Sequence, residues 1–294
     1  MSDYETVLYQ VPALGVARIV QNRPEARNAQ NLQMTYDLNA AFDRATQDDE
    51  IKVIILTGSD PHFSAGHDLR GDGGKKLIED FPIVGTWAGF ENEGAHGRFS
   101  REEEIYLEMT RRWRNLPKPT IAQVSGKCIA GGLMLAWACD IIIASEDAMF
   151  QDPVVMMGVC GVEFFMHPWE LGPRKAKEFL FTADWWTAEE AHRLGMVNHV
   201  VPREEIEEFT LNMAKKIAEK PLFALELTKK AVNQTLDTMG QQAALDTVFG
   251  LHQLCHSHNE KLYGIPMDPG GVPQVMKKKG STNSRGGKEV KGYR

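Results

Sequence analysis

The chain has 294 residues, 43% of them hydrophobic and 25% charged, with a formal net charge of −7. That length suits one large domain or two modest ones with a sizeable core. The acidic balance argues against a general nucleic-acid binder, which needs a basic surface to neutralise phosphate; a local basic pocket for an anionic ligand remains compatible with it.

In chain order, Thr6-Val7-Leu8-Tyr9 and Val16-Ala17-Arg18-Ile19-Val20 flank Pro12 and Gly15, which predicts a hairpin over 5–20. Asn31 is placed to cap a helix running to Ala45, with Leu38, Ala41, Phe42 and Ala45 on one face. A strand is predicted over 53–57. Residues 71–100 open with Gly71, Gly73 and Gly74, carry Trp87, Phe90 and His96, and show no clean period. So long a connection is either a functional loop over a pocket or a surface excursion, and the pattern leaves both open.

A charged helix is predicted over 101–115, ended by Leu116-Pro117-Lys118-Pro119. Thr120-Ile121-Ala122-Gln123-Val124 reads as a buried strand, and a Gly131-Gly132 pair opens an apolar helix after it. Further strands are expected at 141–144 and 148–150. Thr187 with Glu190 makes a capping box, and Gly195 closes that short helix. Two longer helices follow at about 203–219 and 221–237, the first striped by Ile206, Phe209, Met213 and Ile217. From about residue 270 the chain turns basic and polar, with Lys277-Lys278-Lys279, and a disordered tail is expected. The expected division is a core over 1–200, a helical oligomerisation region over 201–265 and a basic tail over 266–294.

Cys128, Cys139, Cys160 and Cys255 show no Cys-x-x-Cys spacing, so buried free thiols in a reducing, cytoplasmic setting are expected. The acidic start Met1-Ser2-Asp3-Tyr4-Glu5 lacks the features of a signal peptide. The longest apolar run, 129–144, is shorter than the roughly 20 residues a membrane span needs.

Two stretches point to chemistry. Each passes from an apolar strand through small residues and glycine: His62-Phe63-Ser64-Ala65-Gly66-His67-Asp68-Leu69, and Ser125-Gly126-Lys127-Cys128-Ile129-Ala130-Gly131-Gly132. A strand that stops at glycine and enters a helix leaves backbone N–H groups unpaired, and glycine admits a close approach. Two such turns can aim two N–H groups at one oxygen, an oxyanion hole.

These stretches resemble the paired signatures of the crotonase superfamily, the enoyl-CoA hydratase/isomerase family. The likeness extends to Asn22-Arg23-Pro24-Glu25-Ala26-Arg27-Asn28-Ala29, to Leu180 through Ala191, and to Leu194-Gly195-Met196-Val197-Asn198, covering about residues 5–235. The resemblance implies an α/β spiral of repeated ββα units. It also implies C-terminal helices that build a homotrimer or a dimer of trimers.

The implied substrate is an acyl-CoA thioester, with coenzyme A belonging to the substrate and no separate cofactor or metal. The oxyanion donors fall on the backbone N–H groups of His67 and Gly131; the His67 side chain is expected only to line the pocket. The CoA moiety is expected along Ala26, Arg27, Ala65, Asp68, Leu69 and Arg70, with the two arginines near phosphates.

The sequence departs from the family at its acid–base positions. Hydratases of the family use two glutamates, and Met134 and Val154 stand in their places. Proton transfer needs a titratable group in reach. Glu163 is the leading candidate, between Val162 and Phe164, with burial expected to raise its pKa. Asp152, Glu103, Glu104, Glu108 and His167 are weaker candidates. His252 and His256 share a helix face, as metal ligands would, but a surface histidine patch near a subunit contact is expected. Two readings stay open: an acyl-CoA enzyme with atypical acid–base residues, in fatty-acid or other acyl-CoA metabolism, and a non-catalytic acyl-CoA-binding protein.

Overall fold

In the computed structural model, residues 4–69 and 77–271 are described. The chain opens with β1 (Val7–Ala13) and β2 (Val16–Gln21), an antiparallel hairpin as predicted. α1 (Leu32–Gln47) follows, and the Asn31 side chain accepts a hydrogen bond from Met34 N, the expected cap. β3 (Val53–Gly58) then pairs parallel with β2.

The predicted helix over 101–115 begins earlier than the sequence suggests. α2 (Ala95–Glu102) leads into a wide π turn (Glu103–Glu108) and then α3 (Met109–Arg114). Gly94 and the polar first turn of α2 hide this start from a search for apolar periodicity.

β4 (Thr120–Val124), β5 (Lys127–Ile129) and α4 (Gly131–Trp137) form the central segment. β6 (Ile141–Ser145) and β7 (Met149–Gln151) come next, then α5 (His167–Leu171), α6 (Pro173–Thr182), β8 (Trp186–Thr187) and α7 (Ala188–Arg193). Thr187 caps α7 by accepting from Glu190 N. β9 (His199–Val201), α8 (Ile206–Ala218), α9 (Leu222–Thr238) and α10 (Gln241–Tyr263) complete the described elements.

The main sheet runs β1-β2-β3-β4-β6-β9, parallel after the opening hairpin. A smaller sheet runs β5-β7-β8. β3 and β4 are buried nearly throughout and rich in β-branched residues, as strands covered on both faces should be. On one face, Ile206 is buried and Phe209, Met213 and Ile217 of α8 pack against Val16, Val53, Ile55, Ile121 and Ile143. On the other, α1 and α4 pack into the larger core with Phe42, Phe63 and Trp113. This is the layered α/β arrangement, with helices after the strands, that the resemblance implies.

The described part of the 71–100 excursion is tied to the body. Ile78 and Phe90 are buried, and Phe81 stacks on Tyr36 with ring centroids 4.3 Å apart. The glycines at its start, with Arg70, lie outside the described residues. Most of the expected basic tail lies outside them too; of its first residues, Asp268 donates its N–H to Met157 O. Among the described residues, no helix is long and apolar enough to cross a membrane.

Candidate functional site

The two glycine turns lie side by side. Phe63 N donates to Ser125 O, Ser64 N to Lys127 O and Ile129 N back to Ser64 O, which pairs Ser64 with Cys128 in a parallel bridge. His67 and Gly131 each lie three residues beyond that pair, so they stand at equivalent points of the two turns.

The close approach explains the glycines. Gly66 has φ +85°, and a Cβ there would fall 2.8 Å from Ile129 O and 3.2 Å from Gly131 N. A Cβ on Gly131 would fall 2.6 Å from Cε1 and 2.8 Å from Nδ1 of the His67 ring. Ala130, between strand and helix, sits at φ +47°, a conformation that costs a non-glycine residue about 1–3 kcal/mol.

The expected CoA segments also meet. Ala65 N donates to Arg27 O, Gln30 N to Gly66 O and Asp68 N to Gln30 O. Ala26 is buried and Arg27 exposed. Asp68 is an ion-pair partner of Arg23, whose Nη2 lies 3.0 Å from Oδ2; Arg23 also donates to Ala29 O. That pair braces the segment, a role for Arg23 that the sequence reading missed. Leu69 is exposed, and Arg70 lies outside the described residues. Met134 and Val154 are both buried and apolar.

Glu163 is buried, as expected, but its environment is not merely apolar. Its Oε2 lies 3.1 Å from His67 Nε2, and its Oε1 lies 3.5 Å from His252 Nε2. Burial by itself would raise the carboxyl pKa. The neighbouring His67 and His252 and the hydrogen bond from His67 outweigh it and hold the pKa down to about 2. The expected raised pKa is thus corrected: Glu163 is a carboxylate at neutral pH. His252 responds in the opposite sense. Burial would lower its pKa, but Glu163 and Glu102 raise it to about 9.

The His67 side chain does more than line a pocket. It bonds Glu163, stacks on Tyr106 with centroids 3.7 Å apart, and keeps Nδ1 buried without a partner among the described residues. The expected surface histidine patch is also corrected. His252 and His256 are buried and face Glu102, which the sequence reading passed over. Two inward histidines one helical turn apart were the available signal.

The weaker candidates hold structure together. Asp152, fully buried, accepts from Val154 N and Val162 N and lies 2.9 Å from His167 Nε2. Glu104, fully buried, accepts from Val84 N at 2.6 Å, Gly85 N at 3.0 Å, and Thr86 N and Oγ1 at 2.7 and 2.8 Å. Glu108 pairs with Arg111. Glu103 is partly buried, and that burial raises its carboxyl pKa. Two open clefts elsewhere, of about 310 and 520 Å³, include none of His67, Gly131 and Glu163.

The family model for enoyl-CoA hydratase/isomerase matches residues 13–82 and 88–267. EchA13 of Mycobacterium tuberculosis, named as a candidate enoyl-CoA hydratase, is 45% identical over 277 residues, spanning 92% of this chain and 86% of that protein. The crystal structure of a candidate enoyl-CoA hydratase from Mycobacterium smegmatis superposes with a TM-score of 0.80 at 48% identity, covering 90% of this chain and 99% of that one. An enoyl-CoA hydratase/isomerase from Xanthobacter autotrophicus Py2 gives 0.77 at 32% identity, covering 92% and 91%. With two adjoining glycine turns on a shared spiral fold, the chain belongs to the enoyl-CoA hydratase/isomerase family of the crotonase superfamily.

Proposed function

We propose that the protein binds an acyl-CoA thioester, polarises its carbonyl between the N–H groups of His67 and Gly131, and moves a proton with His67 held by Glu163. The observation that carries this is the Ser64–Cys128 bridge, which sets His67 and Gly131 at matching positions of adjoining turns. An N–H donor of this kind is typically worth about 3 kcal/mol of transition-state stabilisation.

Glu163, ionised, accepts a hydrogen bond from the Nε2–H of His67 and so keeps that proton on Nε2. That leaves the lone pair on Nδ1, beside Gly131. In this reading the bound ester uncovers Nδ1, which is buried in the empty protein; a proton leaving the carbon next to the thioester passes to it, and the electron pair left behind moves onto the carbonyl oxygen. The two peptide N–H groups receive that charge. Glu163 itself positions the imidazole and offsets its charge when protonated. Isomerisation, hydration of an unusual substrate, and thioester or C–C cleavage all begin with such polarisation. CoA lies along Ala26, Arg27, Ala65 and Leu69 in this reading, with the acyl chain near Met134 and Val154.

A second reading, an acyl-CoA carrier without turnover, draws support from the apolar side chains at 134 and 154, where hydratases of the family hold glutamates. One experiment separates the two. The protein is incubated with a panel of enoyl-CoA esters while the conjugated thioester absorbance is followed, and ester affinity is measured by calorimetry. Turnover that Glu163→Gln abolishes supports the enzyme. Micromolar binding without turnover supports the carrier, and absence of both rejects the acyl-CoA reading.

A further inference from the structure

We infer that Glu102, His252 and His256 form a binding site for one divalent transition-metal ion of the zinc class, clamping α2 to α10. Their donor atoms all lie within 4.8 Å of one another. Glu102 Oε2 is 3.6 Å from Nε2 of His252 and 3.6 Å from Nε2 of His256.

The hydrogen bonds around the cluster fix which atoms face inward. His252 Nδ1 lies 2.7 Å from Gly161 O, and His256 Nδ1 lies 2.6 Å from Pro266 O. A carbonyl only accepts, so each Nδ1 carries a hydrogen. Each ring therefore turns its Nε2 toward the Glu102 carboxylate, and a metal bound there would displace the Nε2 proton of His252. Two imidazole nitrogens and a carboxylate oxygen thus converge on one buried point. His252 Nε2 is buried and has no hydrogen-bond partner among the described residues. An Nδ1–H held by a backbone carbonyl is also the usual brace of a metal-bound histidine.

The carboxylate is braced as well. Gln253 Nε2 donates to Glu102 Oε2, and Arg98 Nε holds Gln253 Oε1 at 3.1 Å. His252 and His256 are one turn apart on α10, the spacing that brings two imidazoles to one metal. Bonds of about 2.0–2.1 Å to a tetrahedral zinc place its donors about 3.3 Å apart, close to the 3.6 Å seen here. Two imidazoles and a carboxylate suit zinc, and cobalt or ferrous iron in its place, over calcium or magnesium, which prefer all-oxygen shells. Glu163 Oε1 lies 3.5 Å from His252 Nε2, so a cation here would sit beside the carboxylate that holds His67. The sequence reading expected no metal; the three converging donors argue otherwise.

The site is independent of any reaction at the thioester, so its test uses no acyl-CoA. The full chain is stripped with a chelator, dialysed and titrated with zinc chloride by calorimetry, and cobalt(II) loading is followed by visible absorption. One zinc per chain at micromolar affinity or tighter is expected, with four- or five-coordinate cobalt bands. His256→Ala should weaken zinc binding at least a hundredfold, and Glu102→Gln at least tenfold. His258→Ala, an exposed histidine on the same helix, should bind like the parent. Circular dichroism checks that each variant is folded; should His256→Ala misfold, Glu102→Gln and His256→Gln decide. No binding by the parent at 100 µM zinc, or binding that His258→Ala abolishes and the cluster variants spare, overturns the inference and leaves a proton holding the cluster.

Discussion

His67 Nε2 and Glu163 Oε2 stand 3.1 Å apart although 96 residues separate them in the chain. The contact joins the first glycine turn to the segment ahead of α5. It places an ionised carboxylate behind the imidazole whose main-chain N–H is the proposed donor.

Glu163→Gln keeps the shape and removes the charge. The amide no longer fixes the proton on Nε2 or offsets an imidazolium. General acid–base contributions run about 10²–10⁴-fold, so kcat on the best enoyl-CoA ester should fall at least a hundredfold while KM changes less than about threefold. Stopped-flow absorbance against isothermal titration separates the two effects. An equal loss of ester affinity would contradict a role confined to proton transfer.

Gly131→Ala sets a methyl 2.6 Å from the His67 ring. Overpacking of this kind costs about 1–3 kcal/mol, and here the ring or the turn must move. Thioester polarisation should suffer more than stability. The readout is the shift of a bound enoyl-CoA carbonyl band in difference infrared spectra, expected in the parent and absent in the variant.

Glu104 holds three successive N–H groups of residues 84–86. Glu104→Ala leaves the part-buried N–H groups of Val84 and Thr86 without their acceptor, at about 1–3 kcal/mol each where water cannot replace the carboxylate, while the exposed Gly85 turns to solvent. A drop of about 3 kcal/mol in unfolding free energy is expected, with new proteolytic cuts near residue 85. Urea denaturation and mapped limited proteolysis test both parts.

Glu170 on α5 has its pKa raised by burial to about 7, from an ordinary 4.5. The folded form therefore binds a proton that the unfolded form has lost between those values. Stability from this group is greatest below about pH 4.5 and declines as pH rises through about 7. Glu170→Gln should flatten that decline and be the more stable chain at pH 8, as judged from urea midpoints measured from pH 5 to 8.

α9 and α10 expose Phe223, Leu227, Leu251, Leu254 and Leu262. So many large apolar side chains on two neighbouring helices fit a covered subunit surface, and the family resemblance implies trimers. Light scattering is expected to give the mass of a trimer for the parent chain, and Leu254→Asp to lower it toward the monomer; a monomeric parent contradicts this use of the surface.

What the sequence revealed was local. The Asn31 and Thr187 caps, the buried strands and both glycine turns each depend on neighbours within a few residues, and the structure contains them. The acid–base surroundings were not local. His252 reaches Gly161 O across 91 residues and Glu163 from α10, and no periodicity announces which histidine a buried carboxylate will meet. Without those partners, burial alone predicts a raised pKa for Glu163; with them the sign reverses. The start of α2 was missed for a related reason: its first turn is polar and depends on tertiary contacts such as Arg98 with Gln253.

An alanine, not a glycine, occupies φ +47° at position 130. Glycine there would let the following peptide plane swing between several orientations; the methyl group narrows them. The direction of the Gly131 N–H is thereby set during folding, before any ligand arrives. The proposed donor is thus preorganised, and its energetic cost is carried by the stability of the empty protein rather than by ligand affinity.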